Sequence, residues 1–467
     1  MAGEEVCDGE LARLADAGAA FDDDGSGDGV HGGWRDGVWR VGMRAQEWGW
    51  RSVGWREMKR LRILLMAMLV LGGEGVAGVP FLRKGDRVMC LGDSITEDGR
   101  YLAVLEVLLR TRQPGEGIRL YPLGLGSETV SGLSEEGHPF PRPCVLERSG
   151  RALALIKPTV VMICYGMNDG VYAPPAEDRM RAYQEGMREL VKQSRGAGAR
   201  VVLVTPVPFD AKSFRGPVEH DGAESYGYQK PWYGYDRTLA GFSEWLVGSE
   251  KLADAVIDLH GPLSAVVGAW HESDPGWRNG DGIHPDGAVH WLMAGLIAEG
   301  LGVPGTVGEP VVGAAGADGS RGVRFVCRPP VAGPAGAPRG FLEAGGFPRL
   351  MNRLELMVVD APAAACRLMV GERLAAVVTR EQLARGYDLT GLPVLPFAGA
   401  SVAVMDAVME RQRWFSAAWR ERVGHRRPGV ERDVKTVEEA EAEWGRVEAR
   451  LDELTKPVEV EMRVMRP

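Results

Sequence analysis

The sequence predicts an α/β protein in which helices cover both faces of a parallel β-sheet, followed by a smaller β domain. Nearly continuous apolar segments of strand length alternate with helical segments between residues 87 and 302, a pattern typical of a buried parallel sheet. After Gly302 the composition shifts to Gly, Pro and Ala and then to short β-like runs. The length of 467 residues agrees with two or three domains.

The α/β part, residues 79–303, is built from nine predicted segments. Strands are assigned where apolar residues run without interruption, and helices where apolar residues recur at helical spacing. The predicted strands lie at 87–93, 118–124, 159–166, 200–208 and 254–260, and the predicted helices at 101–111, 149–158, 177–198 and 287–302. Functional groups in such sheets gather at the carboxyl ends of the strands.

The C-terminal part, residues 304–467, begins with Gly- and Pro-rich stretches that indicate linkers and loops. Short β-like runs follow within 352–390, and the helical segments 402–424 and 436–455 come after them. The last segment, 458–465, alternates like a half-buried strand. These features predict a small β domain with a helical pair, residues 402–455, inserted before its last strand.

The N-terminal part predicts export. Residues 58–78 have a basic start, an apolar core at 63–71 and small residues at 76–78, the layout of a secretory signal peptide. We hypothesise that residues 1–57 are disordered or an over-extended gene start, and that the mature, secreted or periplasmic protein begins near Val79. The alternative is a short membrane anchor behind a disordered tail, although the apolar core is short for a membrane span.

Composition limits the classes of partner and cofactor. The net charge of −9 argues against nucleic acid as the main partner, because phosphate binding needs a basic face. Six cysteines in so long a chain do not form a disulfide scaffold. No cysteine or histidine pair has the spacing of a zinc site. Neither a metal nor an organic cofactor is expected, since the acyl transfer considered below requires none.

Four polar features follow predicted strands of the α/β part. They are residues 92–94 with Ser94, the turn 123–129, residues 166–169 with Asn168, and residues 281–285 with Asp281 and His284. The last of these precedes the closing helix. Because carboxyl ends of parallel strands meet at one edge, we expect these features to form one site.

Three of these residues suit acyl transfer. A serine hydroxyl such as that of Ser94 is a weak nucleophile and needs a base within hydrogen-bond reach. His284 can serve, since imidazole titrates near neutral pH. Asp281, three residues upstream, can orient the imidazole and stabilise its protonated form. Alone, Ser94 would more commonly be a helix N-cap, but the other blocks favour catalysis.

Acyl transfer also needs hydrogen-bond donors for the oxyanion of the tetrahedral intermediate. The backbone N–H of Ser94 is one candidate because it opens a helix. A backbone N–H of Gly126 or Ser127 is a second candidate, and the side-chain amide of Asn168 is a third.

These blocks resemble the SGNH hydrolases, also called GDSL esterases/lipases, over about residues 82–303. The matching segments are GDSIT with Ser94, GMND with Gly166 and Asn168, and DGIHP with Asp281 and His284. The resemblance implies a flavodoxin-like three-layer α/β/α sandwich and a triad of serine, histidine and aspartate. Ser127 falls where the family usually has a glycine that donates to the oxyanion, and Gly126 lies just before it, so either can be the donor.

An aromatic loop and the remaining histidines are secondary candidates. Residues 224–237 are rich in Tyr and Trp, and Trp232, Tyr233 and Tyr235 are tentative substrate contacts for a sugar ring. Packing of the loop onto the protein body explains these residues equally well. His138, His220, His260 and His271 are expected in loops or at the surface.

Together the patterns predict a serine esterase that hydrolyses carboxylic esters through an acyl-enzyme. Among the substrates, acetyl groups on carbohydrates are the class that we favour. The alternative is a catalytically weak carbohydrate-binding or cell-surface protein on the same scaffold. The serine at position 127 favours that alternative.

Overall fold

Five parallel strands form the first sheet of this computed structural model, which describes residues 81–113, 115–249, 251–334, 346, 350–397, 399–423 and 436–467. The strands are β1 (Arg87–Gly92), β2 (Arg119–Gly124), β3 (Val160–Cys164), β4 (Arg200–Val204) and β5 (Ala255–Ile257). Their order β2-β1-β3-β4-β5 is that of flavodoxin-like sheets. The predicted fold class is therefore confirmed.

The register of this sheet places three carboxyl ends side by side. Gly92 of β1 is paired with Gly124 of β2 and with Cys164 of β3. All five residues of β3 are buried, as its unbroken apolar sequence predicts for a strand covered on both faces. The segments that follow these strands therefore emerge together at one edge.

Seven helices accompany the parallel sheet in the described part of the chain. They are α1 (Ser94–Asp98), α2 (Arg100–Arg112), α3 (Ser149–Ile156), α4 (Glu177–Gly196), α5 (Asp236–Val247), α6 (His260–Ser273) and α7 (Gly287–Gly300). Helices α1, α5 and α6 are additional to the predicted elements. The sequence of α5 does contain a helical pattern, because Leu239, Phe242 and Leu246 recur at helical spacing. All three residues are buried.

The C-terminal sheet is antiparallel and has five strands. They are β6 (Val311–Ala315), β7 (Arg321–Cys327), β9 (Ala365–Val370), β10 (Arg373–Thr379) and β12 (Val458–Met465), in the order β10-β9-β12-β7-β6. β8 (Glu355–Leu356) pairs with β11 (Tyr387–Asp388), and a short helix, α8 (Arg380–Arg385), follows β10. The last strand alternates as predicted, with Val460, Met462 and Val464 buried.

The helical pair, α9 (Ala400–Val423) and α10 (Val437–Leu454), packs on the α/β part although its sequence interrupts the β part. Val404, Val408 and Leu451 belong to the hydrophobic core that contains the parallel sheet. The antiparallel sheet has a separate core. Trp419 of α9 is also buried. The boundary predicted between residues 303 and 304 stays a prediction.

Strand β6 falls within a Gly- and Pro-rich stretch where the sequence predicts linkers and loops, and β7 lies in a segment for which no strand is predicted. All but one residue of β6 are exposed, and its sequence is VVGAA, so it carries little of the apolar alternation that marks a half-buried strand. The predicted signal peptide, 58–78, and residues 1–57 lie outside the described residues. Within the described part, no helix combines the length and apolar character needed to cross a membrane.

Candidate active site

Ser94 is the first residue of helix α1, which begins immediately after β1. The cap of this helix is Asp93, whose Oδ1 accepts the backbone N–H of Ile95 at 3.0 Å. Since Asp93 satisfies the end of the helix, the hydroxyl of Ser94 is left for another partner. That partner is His284, with 2.9 Å between Ser94 Oγ and His284 Nε2.

Two glycines allow helix α1 to lie directly against the strand ends. A Cβ at Gly92 would come within 2.0 Å of Thr96 Oγ1. A Cβ at Gly124 would come within 2.2 Å of the backbone nitrogen of Glu97. Both distances are far below van der Waals contact, so a larger residue would displace α1 and with it Ser94.

His284 and Asp281 lie in the loop between α6 and α7. Asp281 Oδ2 is 2.9 Å from His284 Nδ1. The other carboxylate oxygen accepts the backbone N–H groups of Ile283 and His284, at 2.9 and 2.7 Å. One aspartate therefore fixes both the loop conformation and the ring orientation. The side chains of His284 and Asp281 remain 44% and 54% exposed, so an external molecule can reach them.

The hydrogen bond between these two residues shifts the pKa of each. It raises the pKa of His284 above its ordinary value, an effect that outweighs partial burial. Burial alone would raise the pKa of Asp281, but hydrogen bonds from His284 and Ile283 lower it to about 2. At neutral pH Asp281 is therefore an anion that favours the protonated form of the imidazole.

The candidate oxyanion donors differ in their present partners. The N–H of Gly126 donates to Glu97 Oε2 at 2.8 Å. Ser127, the next residue, has a φ of 65°, in the left-handed region that favours glycine. Asn168 is buried; its Nδ2 donates to the carbonyl of Glu128 at 3.1 Å, which uses one of its two N–H groups.

The orientation of the Asn168 amide is fixed from its other side. The hydroxyl of Tyr172 donates to Asn168 Oδ1 at 2.9 Å, so the nitrogen must point the opposite way. Asp169 supports the neighbouring turn, because its Oδ1 accepts the N–H groups of Val130 and Ser131 at 2.9 and 2.8 Å.

Residues 90–292 match the GDSL-like Lipase/Acylhydrolase family. This part of the chain belongs to that family. Since the domain is an acylhydrolase, the protein is a hydrolase that acts on ester bonds. The resemblance seen in the sequence is confirmed. No curated protein sequence matches this chain.

Three solved structures are similar to this chain, and the one with a TM-score above 0.5 shares its fold. A structure described as a gut microbial diltiazem-metabolizing enzyme is 18% identical with a TM-score of 0.62, covering 83% of this chain and 99% of its own. That share is larger than residues 90–292, so the common fold includes C-terminal elements. Axe2, an acetylxylan esterase from Geobacillus stearothermophilus, is 21% identical with a TM-score of 0.36, covering 47% and 95%. TesA is 20% identical with a TM-score of 0.33, covering 46% and 97%.

A buried network anchors the loop of the acylhydrolase domain that bears Asp281 and His284. The backbone N–H of Asp210 donates to the carbonyl of Gly282 at 2.9 Å. The carboxylate of Asp210 lies 2.7 Å from His271 Nε2 and accepts the hydroxyl of Ser213 at 2.6 Å. Ser213 Oγ in turn accepts the N–H of Asn279 at 2.8 Å.

These anchoring residues escape sequence reasoning because they lie up to about 70 residues apart and form no local motif. The expectation that His260 and His271 lie at the surface is wrong, because both are buried in α6. His271 is 2.7 Å from Asp210, and His260 Nε2 is 3.1 Å from Asp236. A histidine that meets a carboxylate can be buried because its polar atoms are satisfied.

Buried acidic groups lie near Asp93, the residue that precedes Ser94. Burial raises the pKa of Asp93 to about 7, and the nearby anions Asp169 and Glu128 act in the same direction. Glu128 is paired with Arg148 through two bonds of 2.6 Å. Neither side chain of that pair is exposed. The backbone carbonyl of Glu128 accepts Asn168 Nδ2, so this ion pair belongs to the segment that contacts Asn168.

The aromatic loop presents one of its three candidate residues to solvent. Trp232 is 5% exposed and its Nε1 donates to Asp221 at 2.7 Å. Tyr235 is fully buried, and its hydroxyl donates to the carbonyl of Met167 at 2.7 Å. Tyr233 is 51% exposed. Trp232 and Tyr235 therefore fit the packing alternative, and Tyr233 keeps a face that a ligand can contact.

No group of three or more His, Cys, Asp or Glu side chains that could hold a metal ion is found among the described residues.

Proposed function

We propose that this ester hydrolase is a serine esterase with Ser94 as nucleophile, His284 as general base and Asp281 as the residue that orients the base. One observation carries the proposal. Ser94 Oγ, the two imidazole nitrogens of His284 and Asp281 Oδ2 form a continuous chain with two separations of 2.9 Å. That is the arrangement a weak hydroxyl nucleophile needs to become reactive.

The reaction follows from the positions of the protons. His284 Nε2 removes the proton of Ser94 as Oγ attacks the ester carbonyl. The resulting imidazolium then gives that proton to the departing alcohol, which leaves an acyl group on Oγ. Water attacks this acyl-enzyme with His284 again as base, and the products are a carboxylic acid and free Ser94.

The oxyanion donors follow from the bonds that are already made. Because the N–H of Gly126 is bound to Glu97, we assign the loop donor to the N–H of Ser127. The N–H of Ser94 and the second N–H of the Asn168 amide complete the set. A left-handed Ser127 in place of glycine still provides a backbone N–H, so the departure from the family pattern does not remove the donor.

The substrate class is proposed as short acyl esters, with acetyl groups on carbohydrates first among them. The support is the predicted export segment, 58–78, together with the exposed ring of Tyr233, since an aromatic face suits a sugar ring. We therefore propose that the enzyme acts outside the cytoplasm. Fractionation of the producing cells tests that location, and recovery of the protein in the cytoplasm alone would contradict it. N-terminal sequencing of the exported protein tests the predicted start, which a start upstream of Met58 would contradict.

The test of the triad is hydrolysis of p-nitrophenyl acetate by the full chain, beside Ser94→Ala. We expect the variant to lose at least about a thousandfold in kcat. Ser320→Ala is the matched control, because Ser320 lies in the turn between β6 and β7 and bonds to Asp318. A fluorophosphonate probe should label wild type and the control but not Ser94→Ala. Equal hydrolysis by Ser94→Ala and wild type would instead favour a binding protein on this scaffold.

The substrate proposal has its own measurement. Acetate release from acetylated xylooligosaccharides is compared with hydrolysis of p-nitrophenyl butyrate and octanoate. The proposal requires a higher kcat/KM on the acetylated sugars and on acetyl esters than on the octanoate. Tyr233→Ala should raise KM for the sugars and leave KM for p-nitrophenyl acetate unchanged. A preference for octanoate would overturn the assignment of the substrate class.

A further inference from the structure

The carboxylate of Glu97 joins three parts of the molecule that are distant in sequence. Glu97 is the fourth residue of α1, three positions after Ser94. Its Oε2 accepts the N–H of Gly126 at 2.8 Å, and its Oε1 accepts Nη2 of Arg420 at 2.8 Å. Arg420 belongs to α9 of the C-terminal helical pair. One side chain therefore links helix α1, the turn 123–129 that contains Gly126 and Ser127 (the oxyanion loop of the proposed function), and a helix that lies beyond the acylhydrolase domain in sequence.

Helix α9 is fixed on the acylhydrolase domain on both sides of Arg420. Toward its start, Arg411 and Gln412 donate to Glu106 of α2, at 3.1 and 3.0 Å. Near its end, Arg151 of α3 donates to the carbonyl of Val423 at 2.7 Å. Several other hydrogen bonds therefore set the position of α9, and this helix holds the guanidinium of Arg420 next to Glu97.

The negative charge of Glu97 lies close to the proposed oxyanion site, and Arg420 offsets it. The transition state places negative charge on the substrate oxygen beside the N–H of Ser127. The adjacent residue, Gly126, is hydrogen-bonded to the carboxylate of Glu97. A negative charge at that position would destabilise the negative charge that forms on the substrate oxygen. Arg420 supplies the compensating positive charge. The two side chains are only 15% and 25% exposed, so water screens them incompletely.

We propose that Arg420 is a positioning residue for ester hydrolysis, acting through Glu97 to hold the oxyanion loop and to offset the charge of that carboxylate. The proposal rests on the proposed function, because it presumes that Ser127 lies at the oxyanion. It assigns a role to the C-terminal helical pair: its helix α9 completes the support of the active site.

The first test compares Arg420→Met with Arg422→Met. The control residue lies on the same helix and is paired with Glu441 of α10, at 2.7 and 2.9 Å. Arg420→Met should lower kcat on p-nitrophenyl acetate about tenfold, a fraction of the hundredfold or greater loss typical when an oxyanion donor is removed. KM should stay within about twofold, as expected when only the transition state is affected. Arg422→Met should keep the wild-type kcat.

The second test separates charge compensation from simple packing. Glu97→Gln keeps an acceptor for Gly126 but carries no charge, so it should remove most of the need for Arg420. The double variant Glu97→Gln/Arg420→Met should then have a higher kcat than Arg420→Met alone. In addition, a boronic acid that forms a tetrahedral anion on Ser94 should bind Arg420→Met about tenfold more weakly than wild type. A packing role would give additive losses and unchanged boronate affinity.

The outcomes separate this inference from the proposed function. If wild type exceeds Ser94→Ala but Arg420→Met matches Arg422→Met, only the role of Arg420 is overturned. Losses that add in the double variant overturn it as well. If wild type and Ser94→Ala are equally slow and the phosphonate probe does not label, the proposed function fails and this inference fails with it. A rescued double variant with weakened boronate binding supports both.

Discussion

Replacement of Arg411 by methionine should be among the most destabilising single changes in the helical pair. The side chain of Arg411 is fully buried where α9 meets α2. Its Nη1 lies 3.1 Å from Glu106 Oε2, and its Nε lies 2.5 Å from Glu448 Oε2. Methionine keeps much of the volume but removes the charge, so the change tests electrostatics rather than packing.

The expected loss can be worked out from these contacts. Two unit charges about 4 Å apart attract by about 4 kcal/mol at an effective dielectric constant of about 20. Removing one partner of a buried pair commonly costs about 3–5 kcal/mol, because the other charge is left without compensation. Arg110 remains 2.9 Å from Glu106, and Gln412 still donates to it. We therefore expect the low end, about 3 kcal/mol.

The loss should also depend on pH. Burial alone would raise the pKa of Glu106, but Arg411 and Arg110 outweigh it and hold that pKa below its ordinary value. The wild-type pair therefore contributes stability above the unfolded pKa of Glu, about 4.3, and loses it as pH falls through the depressed folded pKa. In Arg411→Met the pKa of Glu106 rises, so the penalty is largest at neutral pH and shrinks as pH falls through that raised pKa toward about 4.

Thermal unfolding followed by circular dichroism at pH 7 and at about pH 4 measures this prediction. Arg413→Met is the matched control, because Arg413 lies on the same helix and is exposed. Glu106→Gln/Arg411→Met should be less destabilised than Arg411→Met, since both charges are gone. The reasoning would be refuted if Arg411→Met melted with Arg413→Met, or if its deficit were the same at both pH values.

Three further changes test the active site. Asp281→Asn should move the acid limb of kcat/KM to lower pH, because the raised pKa of His284 depends on that carboxylate; a limb that stays in place contradicts this. Asn168→Ala should lower kcat by about a hundredfold or more with little change in KM, and an unchanged kcat would remove it from the oxyanion site. Gly124→Ala should cost about 3 kcal/mol in thermal unfolding and lower kcat, because its Cβ would meet the backbone of α1. Gly150→Ala, where nothing lies within 4 Å, should melt at or above wild type.

The organisation of the acylhydrolase domain could be predicted because its signals are local. The run Val88–Leu91 is apolar without interruption and ends at Gly92, which marks both a buried strand and its carboxyl end. Asp281 and His284 are three residues apart, a spacing that brings a carboxylate to an imidazole within one turn. The edge strand β6 escaped prediction, because an exposed Gly- and Ala-containing strand has no apolar alternation.

The support of the site could not be predicted, because it depends on contacts between distant segments. Nothing near Asp210 in sequence indicates that its N–H would meet Gly282. Glu97 reads as an ordinary helix residue, although in the structure it bonds to both Gly126 and Arg420. The sequence of the helical pair does not predict which domain it packs against, since an amphipathic pattern indicates only that one face of a helix is buried.

The sequence by itself determined the fold class, the order of the strand-end blocks and the candidate residues Ser94, Asp281 and His284. These follow from periodicity and short spacing, which act over a few residues. Only the tertiary structure decided which backbone N–H of the turn 123–129 is bound to Glu97 and which hydrophobic core the helical pair joins. Those outcomes depend on which buried charges and hydrogen-bonding groups meet when the chain packs, and a one-dimensional pattern does not contain that information.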